Sequence, residues 1–332
     1  MFSPNRREIL ILLSRGAMSF ALPGSGMFAA ANRGLKPLGG IFPIAQTPFT
    51  EDNKLDLDSL INELHFIDRG GVHGFVWPQL ASEWQMLTDS ERMNGAEAIA
   101  STGRNLRPAI VIGVQAANVE TAVKYAKHAE KAGADAIISL PPAGKKDPQT
   151  IREYYKTVGS ATALPLFIQA VGGLDVETIL EMYREIPTLR YVKDEAGQPL
   201  MRLSALRKGS NDQLKVFTGS HGKTLIDEMM RGFSGSMPAA SFADIYASAW
   251  DLWHQGKRRE AVEMYGNAAI LINEVLTYSE GTKYILYLRG VFKTYNLRTR
   301  PGGALGNGTP LDETGKQVLR ELLDLMKPYL RA

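Results

Sequence analysis

From Gly39 onward the chain alternates between short apolar, β-branched runs and longer segments with a 3.6-residue period. Eight strands are read, at 41–49, 72–79, 108–115, 134–141, 165–170, 191–195, 215–219 and the glycine-rich 232–239. Helices are read between them at 56–70, 89–101, 119–132, 147–160, 176–185, 200–207 and 223–231, with Thr88 as an N-cap and Gly133 as a C-terminal stop. Strand runs that are apolar throughout, rather than alternating with polar residues, belong to a parallel sheet buried on both faces. Eight such units close an α/β fold of the (β/α)8 TIM-barrel type. A doubly wound open sheet is the alternative. It would want a glycine-rich turn after strand one, where Thr47-Pro48-Phe49-Thr50 has no glycine. After Ala240 only helical segments recur, at 242–256, 258–278, 282–293 and 314–330, with 298–310 as a loop. The expected division is a barrel over 36–241 and a C-terminal helical extension over 242–332.

Residues 1–35 stand apart. Arg6 and Arg7 are adjacent, a mildly apolar stretch covers 9–31, and it ends in the small residues Ala29-Ala30-Ala31. The arrangement resembles a twin-arginine signal peptide with a small-residue cleavage site. Arg15 and Pro23-Gly24 interrupt the run, so no uncharged apolar block of about 18 residues remains to form a stable membrane anchor. The expectation is a mature protein that starts near Asn32 and is periplasmic. A cytoplasmic protein is the alternative, if the segment is a fortuitous amphipathic extension.

The charge balance narrows the partners. Thirty-eight Lys and Arg face 35 Asp and Glu, a net charge of +3. No large basic field exists to attract nucleic acid. Cysteine is absent, which excludes disulfides, zinc-thiolate sites, Fe–S clusters and a thiol nucleophile. The five histidines form no HxH or HExxH pair, so neither a metal nor another cofactor is expected.

In a barrel of this kind the active site lies at the carboxyl ends of the strands. Those ends deliver Thr47, Ser82 and Glu83, Gln169, Lys193 and Glu195, Gly219, Ser220 and His221, and Ser236. Lys193 is the most informative. An amine inside a buried strand is costly unless paired or used, and desolvation lowers its pKa towards the neutral form that attacks a carbonyl. The other reading is an ion pair with Glu195, which shares the Lys193 face of the strand, whereas Asp194 does not. His221 is a candidate general base or simply an exposed loop histidine. Glu83 is a candidate acid/base, or an acceptor for the first-turn N–H groups of the next helix.

These residues sit in a pattern that resembles the dihydrodipicolinate synthase/N-acetylneuraminate lyase family. The likeness runs through Gly40-Ile41, Thr47-Pro48-Phe49, Leu57-Asp58, Gly70-Gly71-Val72-His73-Gly74, Glu83, Leu87-Thr88, Glu91-Arg92 and Ala132-Gly133-Ala134-Asp135-Ala136. Val192-Lys193-Asp194 resembles that family's Schiff-base lysine segment, and Gly219 and Gly235 fall where its strand-seven and strand-eight glycines do. The resemblance covers about residues 39–330. It implies a barrel with a C-terminal helical part, a homotetramer or homodimer, and a small-molecule 2-oxo acid as substrate, held as an imine on Lys193.

There are departures. The family's Gly-Thr-Thr-Gly-Glu after strand two is Gln79-Leu80-Ala81-Ser82-Glu83 here, and its strand-five Tyr is Gln169, which cannot transfer a proton. The arginine that takes a second carboxylate in the lysine-biosynthetic members is missing from Val171-Gly172-Gly173-Leu174. The expected function is therefore a Schiff-base lyase, an aldolase or dehydratase, for a 2-keto-3-deoxy sugar acid or related pyruvate derivative. The alternatives are a 4-hydroxy-tetrahydrodipicolinate synthase and a non-catalytic periplasmic barrel that binds a keto acid.

Overall fold

The computed structural model of the chain describes residues 36–145, 147–298 and 308–332. The expected export signal in 1–35 and most of the expected loop at 298–310 lie outside the described residues. Residues 36–332 form one compact unit.

Eight parallel strands make a single sheet in the order β1-β8-β7-β6-β5-β4-β3-β2. They are β1 (Gly40–Ile41), β2 (Gly74–Trp77), β3 (Ala109–Gly113), β4 (Ala136–Ser139), β5 (Leu166–Ala170), β6 (Leu189–Asp194), β7 (Lys215–Thr218) and β8 (Gly235–Ser236). The ring closes between the first two strands. Ile44 bridges Val76, and the Ala45 N–H donates to the Val76 carbonyl at 3.0 Å. The first and last strands are shorter than their apolar runs suggest. Pro43 and Pro48 carry no N–H for a ladder, and past Ser236 the chain holds β1 through the isolated bridge of Ala239 to Ile44.

Each strand is followed by a helix: α1 (Leu57–Gly70), α2 (Asp89–Gly103), α3 (Val119–Ala132), α4 (Pro148–Gly159), α5 (Val176–Glu185), α6 (Pro199–Gly209), α7 (Leu225–Met230) and α8 (Ala243–His254). Their starts are chemically marked. Asp56, Asn118, Asp147 and Asp175 each accept a backbone N–H three residues on, and Thr88 with Glu91 forms a capping box. Gly133 ends α3 at φ 91°, a conformation that costs any residue with a Cβ.

The α8 segment corrects the expected domain division. It packs against α1 and β1, so it is the eighth helix of the ring and not the first of the extension. The extension is α9 (Arg258–Val275), α10 (Gly281–Leu288) and α11 (Glu313–Met326).

Two apolar layers follow from strand alternation. Val192, Val216 and Ile168 pack outward against the helices. Phe42, Phe167, Phe217 and Ile138 fill the barrel interior, where Tyr191 stacks on Phe167 with ring centroids 4.3 Å apart. This aromatic plug is the floor on which the polar groups of the carboxyl ends rest.

Candidate active site

Lys193 is two residues beyond Tyr191 on β6, so its side chain enters the barrel one layer above the plug. It lies in register with Gln169 on β5 and Phe217 on β7. Asp194 faces outward and pairs with Arg202 at 2.8 Å, as the alternation requires. Lys193 is only 5% exposed, and its Nζ lies 3.0 Å from Glu195 Oε2.

Glu195 collects three donors. Beside Lys193, the Gln169 side-chain amide donates to Oε2 at 2.5 Å, and the Ser220 N–H donates to Oε1 at 2.9 Å. Burial works to raise its pKa, but the Lys193 charge and these donors outweigh it and hold the carboxyl below its usual value. For His221 the surroundings favour the neutral form instead. Burial first, and then the neighbouring Lys193 charge, push its imidazole down to about 4. It is therefore a neutral base near pH 7, and its Nδ1 is buried with no hydrogen-bond partner among the described residues.

These groups open into a cavity of about 970 Å³ that Gln46, Glu83, Gln169, Lys193, Glu195, Ser220 and His221 help to line. Its far wall is built by the C-terminal helices. Glu83 is ion-paired through Oε1 with the buried Lys283 of α10, and its Oε2 accepts the Arg298 N–H at 2.8 Å. Lys283 also donates to the Asn296 carbonyl at 2.8 Å, and burial pulls its pKa down. The Arg298 guanidinium is paired with Glu91, and the Thr282 hydroxyl donates to Gln46 Oε1 at 3.1 Å.

Of the residues expected at the site, Lys193, Glu195, His221, Glu83, Gln169 and Ser220 meet in this cavity. Thr47, Ser82, Ser236 and Gly219 do not line it. The Thr47 hydroxyl donates to the Ser82 carbonyl at 2.5 Å, and the Ser82 hydroxyl donates to the Ala45 carbonyl at 2.5 Å. Both serve turns whose buried carbonyls need donors. Ser236 is fully buried beside Thr218, whose hydroxyl reaches it at 3.4 Å. Glu83 is committed to Lys283 and Arg298 and not to the neighbouring helix.

Two buried residues escaped the sequence reading. Lys283 stands directly before the apolar run Tyr284-Ile285-Leu286, and Glu63 takes an apolar position on the inner face of α1. A charge on a buried face was the available signal for both. Burial pushes the Glu63 carboxyl well above its usual range, and it accepts the Gln46 N–H at 2.9 Å.

Residues 37–320 match the sequence profile of the dihydrodipicolinate synthetase family. The chain belongs to that family. The L-2-keto-3-deoxyarabonate dehydratase of Azospirillum brasilense is 28% identical over 243 residues, 70% of this chain and 78% of that protein. A 4-hydroxy-tetrahydrodipicolinate synthase of Methanococcoides burtonii is 26% identical over 246 residues, 72% and 83% of the two chains. The crystal structure of dihydrodipicolinate synthase from Rhodopseudomonas palustris superposes with a TM-score of 0.77 at 23% identity, over 86% of this chain and 97% of that one. That last likeness concerns the fold. Family membership makes the chain a lyase of the aldolase and dehydratase type, with small keto acids as the substrate class.

Proposed function

We propose that this lyase forms a Schiff base between Lys193 and a 2-oxo acid, and that its substrate is a 2-keto-3-deoxy sugar acid. The observation that carries the reading is the placement of the Lys193 amine 3.0 Å from the Glu195 carboxylate, inside a cavity that also holds a neutral imidazole.

The steps follow from those neighbours. Glu195 takes a proton from the Lys193 ammonium, and the free amine adds to the C2 carbonyl. The protonated Glu195 returns the proton to the carbinol oxygen, which leaves as water and gives the iminium. The iminium draws electrons from C3. In dehydration a base removes the C3 proton, the C4–O bond breaks, and the hydroxyl leaves as water after accepting a proton. In aldol cleavage the C4 hydroxyl loses its proton, the C3–C4 bond breaks to release an aldehyde, and the enamine is then protonated at C3. Water hydrolyses the product imine in either case. Glu195 beside the amine and His221 on the same cavity wall serve as proton carriers in place of the family's strand-five tyrosine.

The far wall supports a neutral tail on the substrate. Its charges are spent internally, Glu83 on Lys283 and Arg298 on Glu91, which leaves amide and hydroxyl groups to meet sugar hydroxyls. Among the described residues a second carboxylate would find no uncommitted cation there. The Azospirillum relative, named for a keto-deoxy acid dehydratase, points the same way. We also assign this chain the homotetramer or homodimer usual in the family and, from Arg6-Arg7, export to the periplasm.

A specific observation favours a second reading. The Lys193–Glu195 pair is also what a keto-acid-binding barrel without turnover would need to bury an amine. Borohydride reduction in the presence of pyruvate separates the two when joined to a product assay. One adduct on the Lys193 peptide, with turnover of a 2-keto-3-deoxy acid, is the expected result. An adduct without product from any keto acid supports the binding reading, and no adduct on Lys193 overturns the proposal.

A further inference from the structure

The turn after β7 is built in an unfavourable way. Ser220 and His221 are consecutive, neither is glycine, and both lie in the left-handed region, at φ 51° and 55°. Such conformations persist only where the surroundings over-determine them.

Here the surroundings are two tyrosine hydroxyls from different helices. The Tyr246 hydroxyl of α8 donates to the His221 carbonyl at 2.6 Å, and the Tyr265 hydroxyl of α9 donates to the next carbonyl, that of Gly222. Both tyrosines are buried, and neither lines the cavity. The Tyr246 ring also limits the turn sterically. A Cβ on Gly222, itself at φ 68°, would lie 2.9 Å from Tyr246 Cε1. From the inner side the Ser220 N–H is held by Glu195. The turn is thus fastened at its carbonyls from outside the barrel and at an amide from inside it.

We propose that Tyr246 and Tyr265 are positioning residues for the reaction, their hydroxyls holding the left-handed turn that aims the His221 imidazole at the Lys193–Glu195 pair. This rests on the reading of His221 as a proton carrier. Packing needs the rings, whereas positioning needs the oxygens, so phenylalanine variants separate the two roles. The charged groups that act on His221 are Lys193, Glu195 and Lys223.

The test follows the His221 ring by NMR in full-length protein labelled at histidine Cε1, with His221→Gln to assign the signal. In the wild type it is expected to titrate at about 4. In the Tyr246→Phe, Tyr265→Phe double variant the released ring is expected to titrate at least one unit higher, towards the ordinary value of about 6.5. Turnover near pH 7 should fall about tenfold with KM within about twofold, because the loss is one of orientation. If the double variant does not fold, each single variant carries the same readout with part of the shift. An unchanged His221 titration in every folded variant overturns the proposal. Wild-type protein is treated with pyruvate and borohydride in parallel. Failure to trap there overturns the Schiff-base reading, and the two failures are told apart.

Discussion

The Glu195 carboxylate occupies the volume that a side chain on Gly219 would need. A Cβ placed on Gly219 would collide with Oε1 and with the carboxyl carbon. Gly219 therefore serves the carboxylate beside Lys193 and not the substrate. A Gly219→Ala variant should displace Glu195 and lose about 10²-fold in turnover. Overpacking of this kind should also cost about 1–3 kcal/mol of stability, read by urea unfolding. Wild-type turnover in that variant would refute the assignment of Glu195.

Glu195→Gln keeps the shape but removes the proton acceptor. Imine formation with pyruvate should slow by about 10²-fold at neutral pH while the fold persists. The wild-type carboxyl titrates below its usual value, so its rate should decline as pH falls through that lowered value. The Gln variant should lack this acid limb. Stopped-flow measurement of imine formation across pH 3–7 checks both statements, and an acid limb common to both proteins would assign it to another group.

Acid resistance should depend on the far wall. The Arg298 guanidinium holds the Glu91 carboxyl down to about 2. The folded value lies below the unfolded value of about 4.3, so this contribution is complete above pH 4.3 and is lost as pH falls through 2. Glu91→Gln should therefore lower the urea midpoint clearly at pH 7 and much less at pH 3. An equal loss at both pH values would show that the pair's charge is not what stabilises it.

Export is tested in the native host. Replacing both Arg6 and Arg7 with Lys should leave the full-length form in the cytoplasm, whereas the unaltered chain should appear in the periplasm with an N-terminus near Asn32. Retention of the unaltered chain in the cytoplasm would remove the periplasmic assignment.

The barrel was legible because strand and helix periods differ, and a buried parallel sheet needs runs that are apolar throughout. The Lys193–Glu195 relationship was legible for the same reason, since residues i and i+2 share a face. Hydroxyl direction was not. Thr47 and Ser82 sit at strand ends, yet each turns to a carbonyl left without a donor by the local backbone, and nothing in residue order says which carbonyl that will be. The place of α8 was equally hidden. A helix that follows the last strand reads alike whether it closes the ring or leaves it, and only its packing on α1 and β1 decides. Lys283 needed knowledge of Glu83, some 200 residues away.

Because α9 helps α8 to fasten the β7 turn and α10 backs the far wall, the repeating βα units do not hold the site alone. A chimera that kept the eight repeats and borrowed another family member's helical tail would still pair its strands and fill its aromatic plug. Its mouth would be out of adjustment, with the β7 turn held by Tyr246 without Tyr265 and Glu83 stripped of its counter-ion. Substitutions in the tail are thus constrained by catalysis as well as by packing, and variants that change substrate preference can be sought there, in residues that never touch the substrate.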